Sequence, residues 1–418
     1  MRRDNIYINP LKIGLIGSGF IAHFHVQAFT GVRNARIAGV YSPTAAHRDA
    51  LVQEVNDLAL GPCAAFDSVE SMVESREIDA IWILGPNDTR LDHMRAIHAT
   101  IAAERGALLG VACEKPLARN LAEAREMVRL VDDLEINHGY LENQVFAGST
   151  TRGKEIIWRR AVPSSGKPYL ARASEEHSGP HMPWFWQGAR QGGGVLLDMM
   201  CHSIEVARFL LTEPGKDRST LRPTSASATT ANLKWTQPAY VERLRNTMGP
   251  DVDYSRAPSE DFARGAVVLE DEAGRQVMIE TSTSWAYVGP GLRLQIELLG
   301  PEYAMQWSSL ETGLKIFLSR EVKGGAGEDL VEKQNAEQGL MPVLEDEAGA
   351  YGYTAENRHM VESFRKGDPP IETFRDGAAV VELLMALYRS AELGRTIMLP
   401  DPDLETYIPP VARERTTG

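Results

Sequence analysis

The chain has 418 residues, 43% of them hydrophobic and 24% charged, with a net charge of -13. That length exceeds what one hydrophobic core usually supports, so two domains are expected, and the acidic balance argues against general affinity for nucleic acid phosphates or anionic membranes. Three cysteines, Cys63, Cys113 and Cys201, show no C-x-x-C spacing, which fits reduced thiols in a cytoplasmic protein better than a disulfide framework. The first ten residues contain Arg2 and Arg3 but no apolar run, and no later stretch reaches the length of a membrane span, so neither secretion nor insertion is expected.

Residues 11–16 read as a short buried strand that runs into Gly17-Ser18-Gly19-Phe20-Ile21-Ala22 and a helix to about Phe29. This is the strand, tight turn and helix start of a dinucleotide-binding unit. Gly17 permits the turn, Gly19 lets backbone approach a pyrophosphate, Phe20 and Ile21 open the helix, and the small Ala22 lets helix and strand pack. The next strand, residues 35–41, ends at Tyr41-Ser42-Pro43-Thr44, where an Asp or Glu would normally bond the ribose of NAD. Ser42 and Thr44 suit a 2′-phosphate that Arg48 would neutralise; equally, Ser42 suits the ribose of NAD with Arg48 merely solvated. Both NAD and NADP therefore stay open.

A third apolar strand, residues 78–84, leads to Pro86 and Asn87 at the edge where parallel sheets bind ligands. Helical periodicity over 91–103, a strand over 107–113 delivering Glu114-Lys115-Pro116, a helix over 121–131 and a strand over 135–140 complete an alternating βα pattern. Residues 1–150 are thus expected to form a Rossmann dinucleotide-binding domain. From about residue 151 the pattern changes to alternating strands at 169–174, 265–270, 276–281 and 293–299, the mark of a mostly antiparallel open sheet in an α+β domain over 151–400. Residues 248–259 and 324–338 read as polar loops, 354–365 and 376–393 as helices packing back on the body, and 401–418 as a tail.

Within the second half, Gly192-Gly193-Gly194 precedes a largely apolar helix in which Asp198 and His202 stand four residues apart on one face. An Asp and a His in such a setting need partners or a function. His177, His181, Asp198 and His202 also invite a zinc reading, but Gly179-Pro180 prevents the first two from being helical i and i+4 ligands, and no metal is expected. His177, Trp184 and Trp186 lie in a Pro-broken aromatic stretch suited to a sugar platform, although either Trp suits core filling as well; Glu142 and Asn143 add polar groups near the expected domain boundary.

The chain resembles the Gfo/Idh/MocA family of oxidoreductases, which includes glucose-fructose oxidoreductase and inositol dehydrogenases. The resemblance rests on 17–22, Pro86-Asn87, Glu114-Lys115-Pro116, 193–202 and 375–400. It implies a nicotinamide cofactor, hydride transfer at a carbinol carbon, catalysis by Lys115, Asp198 and His202, contact of Asn87 and Glu114 with the nicotinamide ribose, and a homodimer or homotetramer built on the open sheet. Two departures stand out: the missing acid after the second strand, and Gly139-Tyr140-Leu141-Glu142-Asn143 in place of the commoner aromatic-Arg pattern. The expected activity is NAD(P)-dependent oxidation of a secondary hydroxyl of a sugar, glycoside or cyclitol. The alternative is a redox-neutral glycosidase that oxidises transiently with a retained cofactor. Lys115, Glu142, Asn143, His177, Trp184, Trp186, Asp198 and His202 are the candidate substrate contacts.

Overall fold

In a computed structural model the chain forms two compact units, Met1–Ala147 with Ala348–Ala379, and Gly148–Glu347 with Val380–Gly418. The structure describes residues 9–249, 252, 254, 258–312, 314–318, 339–344 and 346–413. The expected polar loop at 324–338, and half of that at 248–259, lie outside them.

The first unit is a six-stranded parallel sheet in the order β3-β2-β1-β4-β5-β6. Its strands are β1 Leu11–Ile16, β2 Ala35–Tyr41, β3 Ala64–Phe66, β4 Ala80–Ile83, β5 Gly110–Glu114 and β6 Asn137–Leu141. Between them run α1 Phe20–Phe29, α2 Ala45–Asp57, α3 Val69–Glu74, α4 Asn87–Ala102 and α5 Leu121–Leu134. The strand order reverses between β1 and β4, which opens the crevice where such sheets bind nucleotides. Ile13, Leu15, Ile16, Ile81, Trp82 and Ile83 are fully buried there, each contributing about 1.5–3 kcal/mol. β3 escapes sequence reading because it is three residues long and carries no apolar run that is buried. The helix Tyr353–Lys366 joins this unit through Met360 and Phe364, which press onto Gly139 and Gly110. A Cβ at Gly110 would lie 2.9 Å from the Phe364 ring, so these glycines admit the helix.

The second unit holds a seven-stranded sheet in the order β12-β11-β7-β10-β9-β8-β15. Its strands are β7 Leu170–Glu176, β8 Arg222–Ala231, β9 Phe262–Glu270, β10 Gln276–Ser284, β11 Arg293–Gly300, β12 Tyr303–Ser308 and β15 Ile397–Met398; β13 Leu314–Leu318 and β14 Gly339–Val343 pair separately. Every neighbouring pair in the large sheet is antiparallel except β7 with β10. The helix Val195–Leu211 packs across β7 and β10. The opposite face stays polar, with Arg172 of β7 bonded to Glu280 of β10 and Glu297 of β11.

Candidate active site

In the first unit the β1–α1 turn has the form a dinucleotide requires. Gly17 adopts φ +117, and a Cβ there would sit 2.9 Å from Gly85 N and from the Leu84 carbonyl carbon, so only glycine fits. A Cβ on Gly19 would meet nothing within 4 Å, leaving its backbone open to a bulky group. Gly19, the N-cap residue of α1, makes no side-chain cap bond to the first turn, with Phe20 and Ile21, where a pyrophosphate would bind. At the end of β2, Ser42 is buried and its hydroxyl lies 2.8 Å from that of Ser18. These features fit a dinucleotide. Arg48, expected beside a 2′-phosphate, is instead held by Asp49 at 2.9 Å and Asp67 at 2.8 Å, with Phe66 O as a further acceptor.

Pro86 is the N-cap residue of α4, and Asn87, its first residue, is buried. Arg90, one turn later, binds the backbone oxygens of Gly85, Glu114 and Pro116, and so holds two adjacent strand-end loops together. β5 delivers Glu114 and Lys115 to this edge, and the Lys115–Pro116 peptide is cis. Glu114 is buried, with Oε1 2.9 Å from His25 Nε2 and Oε2 accepting the Lys115 N–H at 2.9 Å. Burial pushes its carboxyl up, but the His25 hydrogen bond and the charges of Lys115 and Arg90 outweigh this and hold it below its ordinary value. Glu142 is fully buried as well, and burial pushes it up to about 8; Lys115 pulls it down and Glu114 pushes it further up. Asn143 donates to Tyr351 O at 2.9 Å, a bond that fixes the loop entering Gly352.

In the second unit the Val195–Leu211 helix is buried along nearly its whole length. Its exposed-end N–H groups are satisfied from outside the helix. Tyr388 Oη accepts from Gly194 N at 2.9 Å and Leu197 N at 3.2 Å, Glu260 O from Val195 N at 3.0 Å, and Glu260 Oε1 from Leu196 N at 3.0 Å. The glycine run makes room for this: a Cβ on Gly193 would fall 2.2 Å from Tyr388 Oη, and one on Gly194 would fall 2.6 Å from Glu260 O. Burial raises the Glu260 carboxyl to about 7, against the hydrogen bonds from Tyr388, Leu196 and Gly194.

One turn into the helix, Asp198 Oδ2 accepts from Trp285 Nε1 at 3.2 Å, and a turn further His202 Nε2 lies 4.0 Å from Glu175 Oε2. All four side chains are buried. Neither Trp285 nor Glu175 was anticipated as a partner, yet the alternation of β7 puts Ala171, Ala173 and Glu175 on one buried face, a signal present in the sequence. His177 is buried, and its Nδ1 accepts the Gly179 N–H at 3.0 Å. Trp186, expected on the substrate platform, belongs to the core: it is buried, donates to Pro180 O at 3.1 Å and packs against Trp235, Tyr254 and Trp285. Trp184 is half-buried and stacks on Phe185 at 3.8 Å. Among the described residues no group of three His, Cys, Asp or Glu side chains is arranged to hold a metal ion, and no helix is long and apolar enough to cross a membrane.

Residues 11–136 match the model of an oxidoreductase family with an NAD-binding Rossmann fold, and residues 164–303 match the GFO/IDH/MocA C-terminal domain. The chain is 22% identical over 406 residues to the myo-inositol 2-dehydrogenase of Thermotoga maritima, covering 94% of this chain and 99% of that one. It is 25% identical over 209 residues to the D-glucoside 3-dehydrogenase of Escherichia coli, covering 49% and 55%. Among solved structures, GenD2 from gentamicin A biosynthesis in complex with NAD superimposes with a TM-score of 0.74 at 22% identity, covering 94% of this chain and 97% of that one. The two matched segments, one carrying the dinucleotide cradle and the other the helix of Asp198 and His202, make the chain a member of the GFO/IDH/MocA family of NAD-binding oxidoreductases.

Proposed function

We propose that the protein oxidises a secondary hydroxyl of a sugar, glycoside or cyclitol, with Lys115, Asp198 and His202 as catalytic residues. The observation that carries this reading is the helix Val195–Leu211, on which a buried carboxylate and a buried imidazole one turn apart each have a dedicated partner. When bound, NAD would be held by the Gly17–Gly19 turn, the α1 N terminus, Ser42, Asn87 and Glu114, and it would accept the hydride from the carbinol carbon. His202 takes the hydroxyl proton, and Glu175, 4.0 Å from Nε2, stabilises the imidazolium this creates. Asp198, steadied by Trp285, orients the substrate through a neighbouring hydroxyl. Lys115 supplies positive charge to the reacting oxygen, and Glu142, with Trp184 and His177, contributes to substrate recognition.

The same reading favours NAD over NADP, because Arg48 is already engaged by two carboxylates and Ser42 presents a hydroxyl suited to a ribose. The names of the relatives, inositol and glucoside dehydrogenases, support a cyclic polyol substrate. We also read the protein as a cytoplasmic homodimer or homotetramer. Cys63, Cys113 and Cys201, thiols rather than disulfides, fit a reducing compartment, and the polar face around Arg172, Glu280 and Glu297 fits a second copy. Sedimentation at micromolar concentration yielding only monomer would remove the assembly claim.

The test is to release and quantify bound nucleotide from freshly purified protein, then to follow NADH formation on a panel of sugars and cyclitols. Net NADH that disappears in both Lys115→Ala and His202→Ala supports the reading. Stoichiometric retained NAD with glycoside cleavage and no net NADH would replace it with the redox-neutral route.

A further inference from the structure

We propose that His25 and Asn357 are positioning residues for this chemistry, forming with Trp82 a buried hydrogen-bond chain that holds Glu114 as an oriented carboxylate beside Lys115. The inference rests on the catalytic reading of Lys115 given above. The four groups come from four separate elements: Trp82 from β4, Asn357 from the helix Tyr353–Lys366, His25 from α1 and Glu114 from the end of β5. Trp82, His25 and Asn357 are fully buried, and Glu114 is nearly so.

The direction of every bond in the chain follows from its two ends. An indole N–H can only donate, and Trp82 Nε1 lies 2.9 Å from Asn357 Oδ1. A backbone carbonyl can only accept, and Tyr353 O lies 2.9 Å from Asn357 Nδ2. These two contacts fix the amide; His25 Nδ1 lies 2.9 Å from Asn357 Nδ2 and 3.3 Å from Asn357 Oδ1, and the shorter contact, to the amide nitrogen, makes the imidazole nitrogen an acceptor. A ring that accepts at Nδ1 is neutral and carries its proton on Nε2. That proton points along the 2.9 Å contact to Glu114 Oε1. With Oε2 already accepting from Lys115 N, both oxygens of Glu114 receive donors, and the carboxylate cannot rotate without losing one of them.

The chain ties the helix that begins at the Gly19 turn to the strand end that carries Lys115. A lost link should therefore appear in NAD affinity and in turnover rather than in substrate binding. His25→Gln places an amide N–H near the position of Nε2 and keeps the bond to Glu114; His25→Ala removes it. Asn357→Asp leaves Trp82 an acceptor but sets a second carboxylate against Nδ1 while Glu114 still faces Nε2, which should hold a proton on both ring nitrogens.

The experiment combines nitrogen NMR of histidine-labelled full-length protein at pH 8 with kinetics of the same variants. The His25 signal is assigned by its absence in His25→Gln. The expected result is an unprotonated Nδ1 and a protonated Nε2 in the parent, and both nitrogens protonated in Asn357→Asp. His25→Ala should lower kcat by about 10–100-fold and weaken NAD binding with substrate KM changed less than about threefold, and His25→Gln should restore most of the loss. A parent His25 protonated on Nδ1 would overturn the proposal. So would a folded His25→Ala protein with unchanged NAD affinity and kcat. If no sugar or cyclitol were turned over by the parent, the catalytic reading would fail, while the tautomer and the NAD titration would still decide this one.

Discussion

Arg48 shows how a single side chain can be legible in type and open in role. From the sequence it stands where a 2′-phosphate would be met, and only the fold reveals that Asp67, nineteen residues later, reaches it across the β3 turn. That contact joins segments whose approach depends on β3, a strand too short and too exposed to announce itself. Asp49 and Asp67 are both exposed, so the pairs are weak and screened, and their effect lies in occupying the guanidinium rather than in stability. The Asp49→Asn/Asp67→Asn double variant should therefore leave thermal stability unchanged while improving kcat/KM with NADP about tenfold relative to NAD. Steady-state kinetics with both cofactors reads this directly, and an unchanged NADP:NAD ratio would remove Arg48 from the specificity argument. Trp184 is the complementary case. Its aromatic neighbour Trp186 belongs to the core, so Trp184→Leu should raise substrate KM with little change in NAD affinity, whereas Trp186→Leu should chiefly destabilise the fold, by about 3 kcal/mol. Equal effects of both variants on KM alone would contradict the division.

At the scale of elements, the Val195–Leu211 helix is the one on which most of the proposed chemistry depends. Its position was readable in the glycine run and the apolar periodicity, as was the shared face of Asp198 and His202. What stood behind the glycines was not, because Glu260 and Tyr388 lie 64 and 194 residues from their backbone partners. The glycines are there so that a carboxylate, a phenol and a backbone oxygen can approach four backbone N–H groups, a structural reason that a motif alone does not reveal. The strands of alternating burial were legible for the same reason that Glu175 could have been: the period of two assigns a face to each residue. β8 was missed because its run of Ser, Thr and Ala lacks apolar contrast. Removing the phenol oxygen in Tyr388→Phe leaves Gly194 N and Leu197 N without their acceptor and should cost about 1–3 kcal/mol. Gly194→Ala, with its Cβ driven against a backbone oxygen, should cost as much or more. Chemical denaturation measures both, and because the helix end would shift, kcat should fall in each while NAD affinity holds. A Gly194→Ala protein of native stability would mean that the Glu260 cap is not rigid.

For the molecule as a whole, buried carboxyl groups set the pH dependence. Glu142 titrates near 8 and Glu260 near 7, both raised by burial, and Glu356 is raised well above its ordinary value by burial together with Glu114, Glu142 and Glu372. Both oxygens of Glu356 are enclosed with no hydrogen-bond partner, a setting that suits the neutral acid. An acid whose pKa is higher folded than unfolded holds a proton the unfolded chain has lost, so its stabilisation is complete at low pH and disappears as pH rises through the folded value. His93, His138 and His359, lowered by burial, act with the opposite sign, but only below their ordinary value of about 6.5. Above that pH the carboxyls act without this opposition, and the self-repulsion of a chain with net charge -13 adds in the same direction. Thermal stability should therefore peak near pH 6 to 6.5 and decline toward 8.5, Glu142 alone accounting for about 2 kcal/mol of the decline. Glu356→Gln separates the two causes, since it imitates the neutral acid at every pH: it should raise Tm most at pH 8.5, less at pH 6, and hardly at all below the ordinary carboxyl value of about 4.5, flattening the curve between. A variant that instead lost stability at pH 8.5 would mean that the folded protein stabilises an ionised Glu356, and the decline would then belong to surface charge.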